Sequence, residues 1–321
     1  MPLHRTVAAL VTMVAAGWTM PAWAGEAPSD TVYLFSFFRG NGETGLYLAA
    51  SEDGLHWTAL NNDRPLLKPK VGSKLMRDPS IVRGPDGMFH MVWTTGWWDK
   101  GIGVAHSKDL VEWSEQTFLP VMQHEPTAKN CWAPEIYYDA ATGTYLICWA
   151  TTIPGRFPET EHPKDDNNHR MYYVATKDFR TYTDTALFYD PGFNVIDTFI
   201  VKDAENDRYA MFLKNETRHP AAEKNIRVAF SEKAAGPYGP VSEPIHGNYW
   251  AEGPSALRVG DRWIVYFDRY TEGRYGAAAS RDLKHWEDIS DRVQFPQGPR
   301  HGTAFEVERA VVEHIKAATA Q

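Results

Sequence analysis

The 321-residue chain carries 41 acidic against 33 basic side chains, a formal net charge of −8 at pH 7. That sign argues against a nucleic acid or an anionic membrane surface as partner. A hydrophobic content of 43% is enough for one large core, and all-β propellers and barrels of this length are often a single domain.

In chain order, the first segment is MPLHRTVAALVTMVAAGWTMPAWA. Arg5, the apolar run from Thr6 to Trp18 and the small-x-small Ala22-Trp23-Ala24 read as a cleaved signal peptide over residues 1–24. The apolar run is too short to span a bilayer, so no membrane anchor is expected. The mature chain is expected to be exported, periplasmic or extracellular. Cleavage removes Arg5 and no acid, which makes the charge one unit more negative. Residues 25–31 read as a linker, 32–307 as one domain and 308–321 as a tail. In the tail, ERAVVEHIKAATAQ suggests a short helix with Val311 and Ile315 on one face.

Two phrases alternate through the domain. The first is SEDGLHW (51–57), SKDLVEW (107–113), TKDFRTY (176–182), SEKAAGPY (231–238) and SRDLKHW (280–286). Ser or Asp here can bond nearby backbone to tighten a turn, with the aromatic packed beneath. The fourth copy is degenerate, with Lys233 in place of Asp. The second phrase is RDPSIV (77–82), WAPEIYY (132–138), VIDTFIV (195–201), AEGPSAL (251–257) and RHGTAFEV (300–307). Most copies run into a tight turn and then an apolar strand, as in GPDG before MFHMVWTT. Such units, recurring five times, predict an all-β, five-bladed β-propeller. The chain begins mid-blade and finishes on a second-phrase strand. The C-terminal strand is therefore expected to pair with the N-terminal blade strands and close the ring.

Cys131 and Cys148 are not expected to form a disulfide. A turn at 139–143 sets Cys148 opposite about Pro134, leaving Cys131 off register by near 10 Å at ~3.3 Å per residue. Neither has a ligand-spaced His or second Cys.

Innermost propeller strands run in one direction around one axis, so equivalent positions form a ring at one mouth of the channel. Aligning the second-phrase copies brings Asp78, Asp197 and Glu252 to or beside one level, with Glu135 and His301 close by. Buried like charges raise carboxyl pKa values, so such a ring suggests a functional site. Matching by Pro puts Glu252 one residue before the Asp78 position, and a bulge or the longer Glu arm must compensate.

At these residues the sequence resembles glycoside hydrolase family 43, five-bladed propeller enzymes acting on arabinose- and xylose-containing glycans. Its motifs match RDPSI, VIDTF and WAEGP, and WAPE (Trp132 to Glu135) also recurs. The resemblance spans roughly residues 32–307. It implies hydrolysis with inversion: Asp78 as general base, Glu252 as general acid, and Asp197 raising the pKa of Glu252 and orienting it. The substrate implied is an oligo- or polysaccharide. With no C-terminal β-sandwich in the chain, a terminal arabinofuranosyl residue is favoured, and β-xylosidase or β-galactofuranosidase action are the alternatives within the family. No cofactor is required and no metal ligand is assigned; the resemblance is compatible with a structural calcium near the axis.

Further substrate contacts are expected from Glu135, which faces the axis at a deeper level, and from Arg300 and His301 on the closing strand. Trp97 and Trp98 in the loop after an inner-blade strand, and Trp250 beside the acid, suit sugar platforms. Arg156, His169, Lys214 and Arg218 are candidates for sugar hydroxyls, and the 153–170 insertion is expected to wall the cleft and favour exo action. A non-catalytic carbohydrate-binding propeller would need the aromatics but not three ring acids. A sialidase-like propeller fits SEDGLHW less well by spacing and blade number. A mannoside phosphorylase would need cations such as Arg218 or Arg269 around a phosphate.

Overall fold

The computed structural model describes residues 30–320, so the expected signal peptide and most of the expected linker lie outside the described residues. The strands are β1 (Thr31–Phe38), β2 (Tyr47–Ser51) and β3 (Thr58–Ala59); β4 (Arg77–Arg83), β5 (Phe89–Thr94), β6 (Ile102–Ser107) and β7 (Thr117–Leu119); and β8 (Trp132–Asp139), β9 (Thr144–Thr152), β10 (His169–Thr176) and β11 (Ala186–Tyr189). They continue with β12 (Val195–Asp203), β13 (Arg208–Asn215) and β14 (Asn225–Ser231), then β15 (Glu252–Val259), β16 (Arg262–Arg269), β17 (Arg274–Ser280) and β18 (Glu287–Asp288). The chain finishes with β19 (Arg300–Glu308) and helix α1 (Arg309–Ala318).

These form five antiparallel sheets, β19-β1-β2-β3, β4 to β7, β8 to β11, β12 to β14 and β15 to β18, the blades of a five-bladed β-propeller. Each innermost strand packs on the next, in the order β4, β8, β12, β15, β19 and back to β4. β19 pairs with β1, Thr31 opposite Glu308 and Ala304 opposite Phe35. Each of five apolar clusters fills the seam between two neighbouring blades, such as Trp93, Met91 and Leu34 in one and Phe35, Tyr266 and Leu257 in another. Burial between sheet faces is the main force holding blades of otherwise local hairpins together.

The Ser-x-Asp phrase is a turn held by its own side chains. Ser107 Oγ accepts from the amides of Asp109 and Leu110, while Asp109 Oδ1 accepts from those of Val111 and Glu112. The same pattern recurs at Ser51, Thr176 and Ser280. At Ser231 only the Lys233 amide bond is seen, and that blade has three strands where the others have four. Loss of the Asp acceptor and loss of the outer strand coincide there.

Helix α1 buries Val312 and Ile315, with Val311 only partly covered, so the buried stripe is one residue along from the expected one. Among the described residues no helix is long and apolar enough to cross a membrane. Cys131 and Cys148 are free and buried. Cys148 faces Glu135, one residue from the expected partner, because the hairpin turn pairs Asp139 rather than Tyr138 with Thr144.

A bulge recurs in every blade. All five innermost strands lose register at one level: after Arg77, Trp132, Ile196 and Glu252, and between Arg300 and Thr303. The bulged residues Asp78, Ala133, Asp197 and Gly253 have φ of 51°, 46°, 56° and 61°. Left-handed backbone costs a non-glycine residue about 1–3 kcal/mol, and Asp tolerates it better than most. Just beyond the bulge, hydroxyls tie neighbouring blades: Ser36 Oγ donates to Pro79 O (2.7 Å), and Ser255 Oγ accepts from Ala304 N (2.7 Å).

Gly253 is held to glycine twice over. Its φ is +61°, and a Cβ there would lie 2.4 Å from His301 Cγ. Gly253→Ala is expected to cost roughly 2–4 kcal/mol, combining left-handed strain with overpacking. Urea denaturation reads this directly, and an alanine variant as stable as the wild type counts against the assignment.

Candidate active site

The bulge presents two successive side chains from every innermost strand to one mouth of the channel. The residue before the bulge gives Arg77, Trp132, Ile196, Glu252 and Arg300. The bulged residue gives Asp78, Ala133, Asp197, Gly253 and His301. All of these except Gly253 line one cavity of about 500 Å³. Glu252 therefore reaches the cavity from the position before the bulge, while Gly253 takes the place that Asp78 and Asp197 hold on their strands.

Asp78 is oriented by Thr94, whose Oγ1 donates to Asp78 Oδ2 (2.7 Å) and accepts from Ala133 N (2.8 Å). His301 Nδ1 lies 3.4 Å from Asp78 Oδ1 and 3.9 Å from Asp197 Oδ2. Asp197 Oδ2 also accepts from Gly253 N (3.0 Å). Burial pushes the Asp197 carboxyl up to about 6, even though His301 and Lys214 pull it down.

Glu252 sits between two cations. Lys214 Nζ donates to its Oε2 (3.1 Å) and Arg300 Nη2 to its Oε1 (2.9 Å). Burial pushes its carboxyl up, but Lys214, Arg300 and His301 outweigh burial and hold it below the usual glutamate range. The expectation that Asp197 keeps Glu252 protonated thus meets a stronger effect in the free protein: Asp197 is the group that keeps its proton more readily. Arg300 is itself held by buried Asp268, whose Oδ2 accepts from Arg300 Nε (2.7 Å). Burial, and then the charge on Glu252, raise Asp268 to about 6. Lys214 is fully buried, lies 2.7 Å from Glu216, and stacks over Tyr270 at 4.8 Å. Lys224 also binds Glu216, and the two lysines outweigh burial to hold that carboxyl at about 2.

Of the residues expected at the site, Asp78, Asp197, Glu252, Trp97, Trp250, Arg300 and His301 meet around this cavity, as do Lys214 and Arg218. Glu135 and Trp98 are not among the lining residues. Glu135 is 7% exposed and lies deeper on β8. Burial holds its carboxyl well above the ordinary range, against a partly offsetting Ser80 hydroxyl. Trp98 points outward, 62% exposed. His169 is buried against Trp132 and bonded to Asn194, and Arg156 pairs with Glu125, so neither faces the cavity. No residue of 153–170 lines the cavity, so the insertion does not form its wall. Among the described residues no group of three or more His, Cys, Asp or Glu is placed to hold a metal.

Sequence reasoning missed Thr94 and Asp268, and saw Lys214 only as a sugar contact. All three stand opposite a residue that precedes a bulge: Thr94 faces Arg77, Lys214 faces Ile196, and Asp268 faces Glu252. Glu216, Lys224 and Tyr270 follow a short way along the chain, on the same wall.

At one channel mouth of this five-bladed propeller, buried carboxyls lie beside Trp97, Trp132, Trp250 and Tyr270. A family model described as a probable glycosyl hydrolase domain, of the family 43-related type, matches residues 29–313, and the chain belongs to this glycoside hydrolase family. An alpha-L-arabinofuranosidase of Bifidobacterium longum subsp. longum is 24% identical over 212 residues, 58% of this chain and 20% of that one. The match thus spans about a fifth of that relative's length. The fold is similar to that of a thermostable family-43 glycoside hydrolase (TM-score 0.55, 14% identity, 70% of this chain and 78% of that one). It is also similar to that of a xylan beta-1,4-xylosidase from Bacillus halodurans C-125 (TM-score 0.51, 18% identity, 69% and 42%).

Proposed function

We propose that this glycosidase removes terminal arabinofuranosyl residues from oligo- or polysaccharides with inversion. The observation that carries the reading is that Asp78 and Glu252 face one cavity from non-neighbouring inner strands, with β19 between them. Inversion requires two such carboxyls on opposite sides of the scissile bond, far enough apart to admit a water. The curated relative's name supports arabinofuranose, and the leader-like N-terminal sequence supports export.

In this reading Asp78, fixed by Thr94, takes a proton from the water as its oxygen bonds to the anomeric carbon. The bond to the leaving oxygen breaks with its electron pair, and Glu252 gives that oxygen a proton. Glu252 must first be protonated. Substrate excludes water and offers hydroxyls to Lys214 and Arg300, and both changes raise the Glu252 carboxyl. Asp197 fixes the Gly253 amide beside Glu252 and is a positioning residue.

A panel of aryl arabinofuranosides, xylosides and galactofuranosides tests the sugar, with arabinofuranosides expected to turn over fastest. Proton NMR of the first product is expected to show the inverted anomer. Faster xyloside turnover would transfer the reading to a β-xylosidase, and a retained anomer would exclude the water-activating role of Asp78.

A further inference from the structure

Arg77 differs from the other cations of the cavity. Lys214, Lys224 and Arg218 share Glu216, and Arg300 is held by Glu252 and Asp268. Among the described residues Arg77 has no carboxylate within ion-pair distance. Its polar contacts are the Asn41 backbone oxygen (3.4 Å) and Asn41 Oδ1 (3.3 Å). The carboxylate it influences through space, Glu43, is fully exposed and takes its hydrogen bond from Asn41 (2.9 Å).

The Arg77 side chain is nevertheless fixed. Its guanidinium lies over the Phe38 ring at 4.7 Å and the Trp97 ring at 4.3 Å. Its stem packs under Gly42, where a Cβ would come within 2.8 Å of Arg77 Cγ. Trp97 is itself tethered through Nε1 to Asn41 Oδ1 (2.9 Å). A half-buried cation held against two aromatic rings, with no anion of its own, suits a planar acceptor. Such prior ordering removes the cost of immobilising this side chain on binding. Trp97, 42% exposed, and Arg77 line the same cavity as Asp78 and Glu252.

We propose that Arg77 recognises the carboxylate of an acidic sugar, a hexuronic acid, adjacent to the glycosyl residue removed. The proposal rests on the hydrolase reading above and names its substrate class. A neutral glycan would leave the guanidinium with only Asn41 as partner, whereas a uronate supplies the missing anion in a two-point contact.

The test uses an arabinofuranosyl disaccharide on a hexuronic acid, its methyl ester, and the matching sulfate ester of the neutral disaccharide. The free acid is expected to exceed the methyl ester in kcat/KM by roughly ten- to a hundredfold, the range of a charge-assisted contact. In Arg77→Gln that ratio is expected to fall to near one, and Arg77→Lys to recover part of it. Reading a ratio cancels any loss common to both substrates. Equal turnover of acid and ester by the wild type, or a preference that survives Arg77→Gln, overturns the proposal. So does a tenfold preference for the sulfate ester over the uronate. Calorimetric binding of the acid and ester to Glu252→Gln separates the two readings. A preference in binding without turnover of either by the wild type supports Arg77 recognition while overturning the hydrolytic role. No preference in binding overturns Arg77 recognition while turnover still supports hydrolysis.

Discussion

Glu252→Gln is expected to lower kcat on a natural glycosidic bond by about 10²–10⁴-fold, and far less on a dinitrophenyl glycoside, whose leaving group departs without a proton. Gln keeps the size of Glu and can still accept a hydrogen bond from Lys214 or Arg300. Those two cations keep Glu216 and Asp268 as partners, so the fold is expected to survive the change. The split between the two substrates separates loss of a proton donor from general damage, because misfolding would slow both equally. Unchanged kcat on the poor leaving group would remove Glu252 from the acid role.

Asp197→Asn is expected to make the protein more stable at pH 7.5 by about 1–3 kcal/mol while lowering its activity by about a hundredfold. Burial holds the folded Asp197 pKa at about 6, above its ordinary 3.8. The folded state therefore binds this proton more tightly than the unfolded chain does. The resulting stabilisation is complete below about pH 4 and is lost as pH rises to about 6. Above that, the ionised buried carboxylate weighs against folding by about 3 kcal/mol, at 1.36 kcal/mol per pKa step. An Asn oxygen can still accept from Gly253 N, so the variant loses the charge and keeps the bond. Urea midpoints at pH 7.5 and pH 4 check this: the gain should be present at the first and largely gone at the second. A less stable variant at pH 7.5 would mean that His301 and Lys214 compensate the charge more than burial penalises it.

The five-blade architecture was legible because two phrases recur, one a side-chain-stapled turn and the other the approach to a bulge. The acids at the channel mouth were legible for the same reason. So was the offset of Glu252, one residue before the Asp78 position with a bulge to compensate. RDPS and EGPS align residue for residue, and what they share is the left-handed position before Pro, taken by Asp78 in one and Gly253 in the other. Read in that way, Glu252 belongs with Arg77, Trp132, Ile196 and Arg300, and the site is two staggered rings. Asp268, and the pairing of Lys214 with Glu252, lay beyond reach because both residues sit on second strands that carry no repeated phrase. Their positions follow only from hairpin register, which the bulge displaces. Their charges then decide the protonation of Glu252, which no spacing argument on the acids alone could supply.

The pairing of β19 with β1 bears on how the protein is made. Thr31 and Glu308 stand opposite each other although nearly the whole domain separates them in the chain. During synthesis the N-terminal hairpin must wait, with its innermost edge open, until the last strand leaves the ribosome. That same strand brings Arg300 and His301, so the ring and the catalytic mouth are completed in one event. A nascent chain or a proteolytic fragment ending before residue 300 would have four inner strands and an exposed edge. It would be prone to association through that edge and would lack Arg300 and His301 at the cavity, which is complete only with the whole ring.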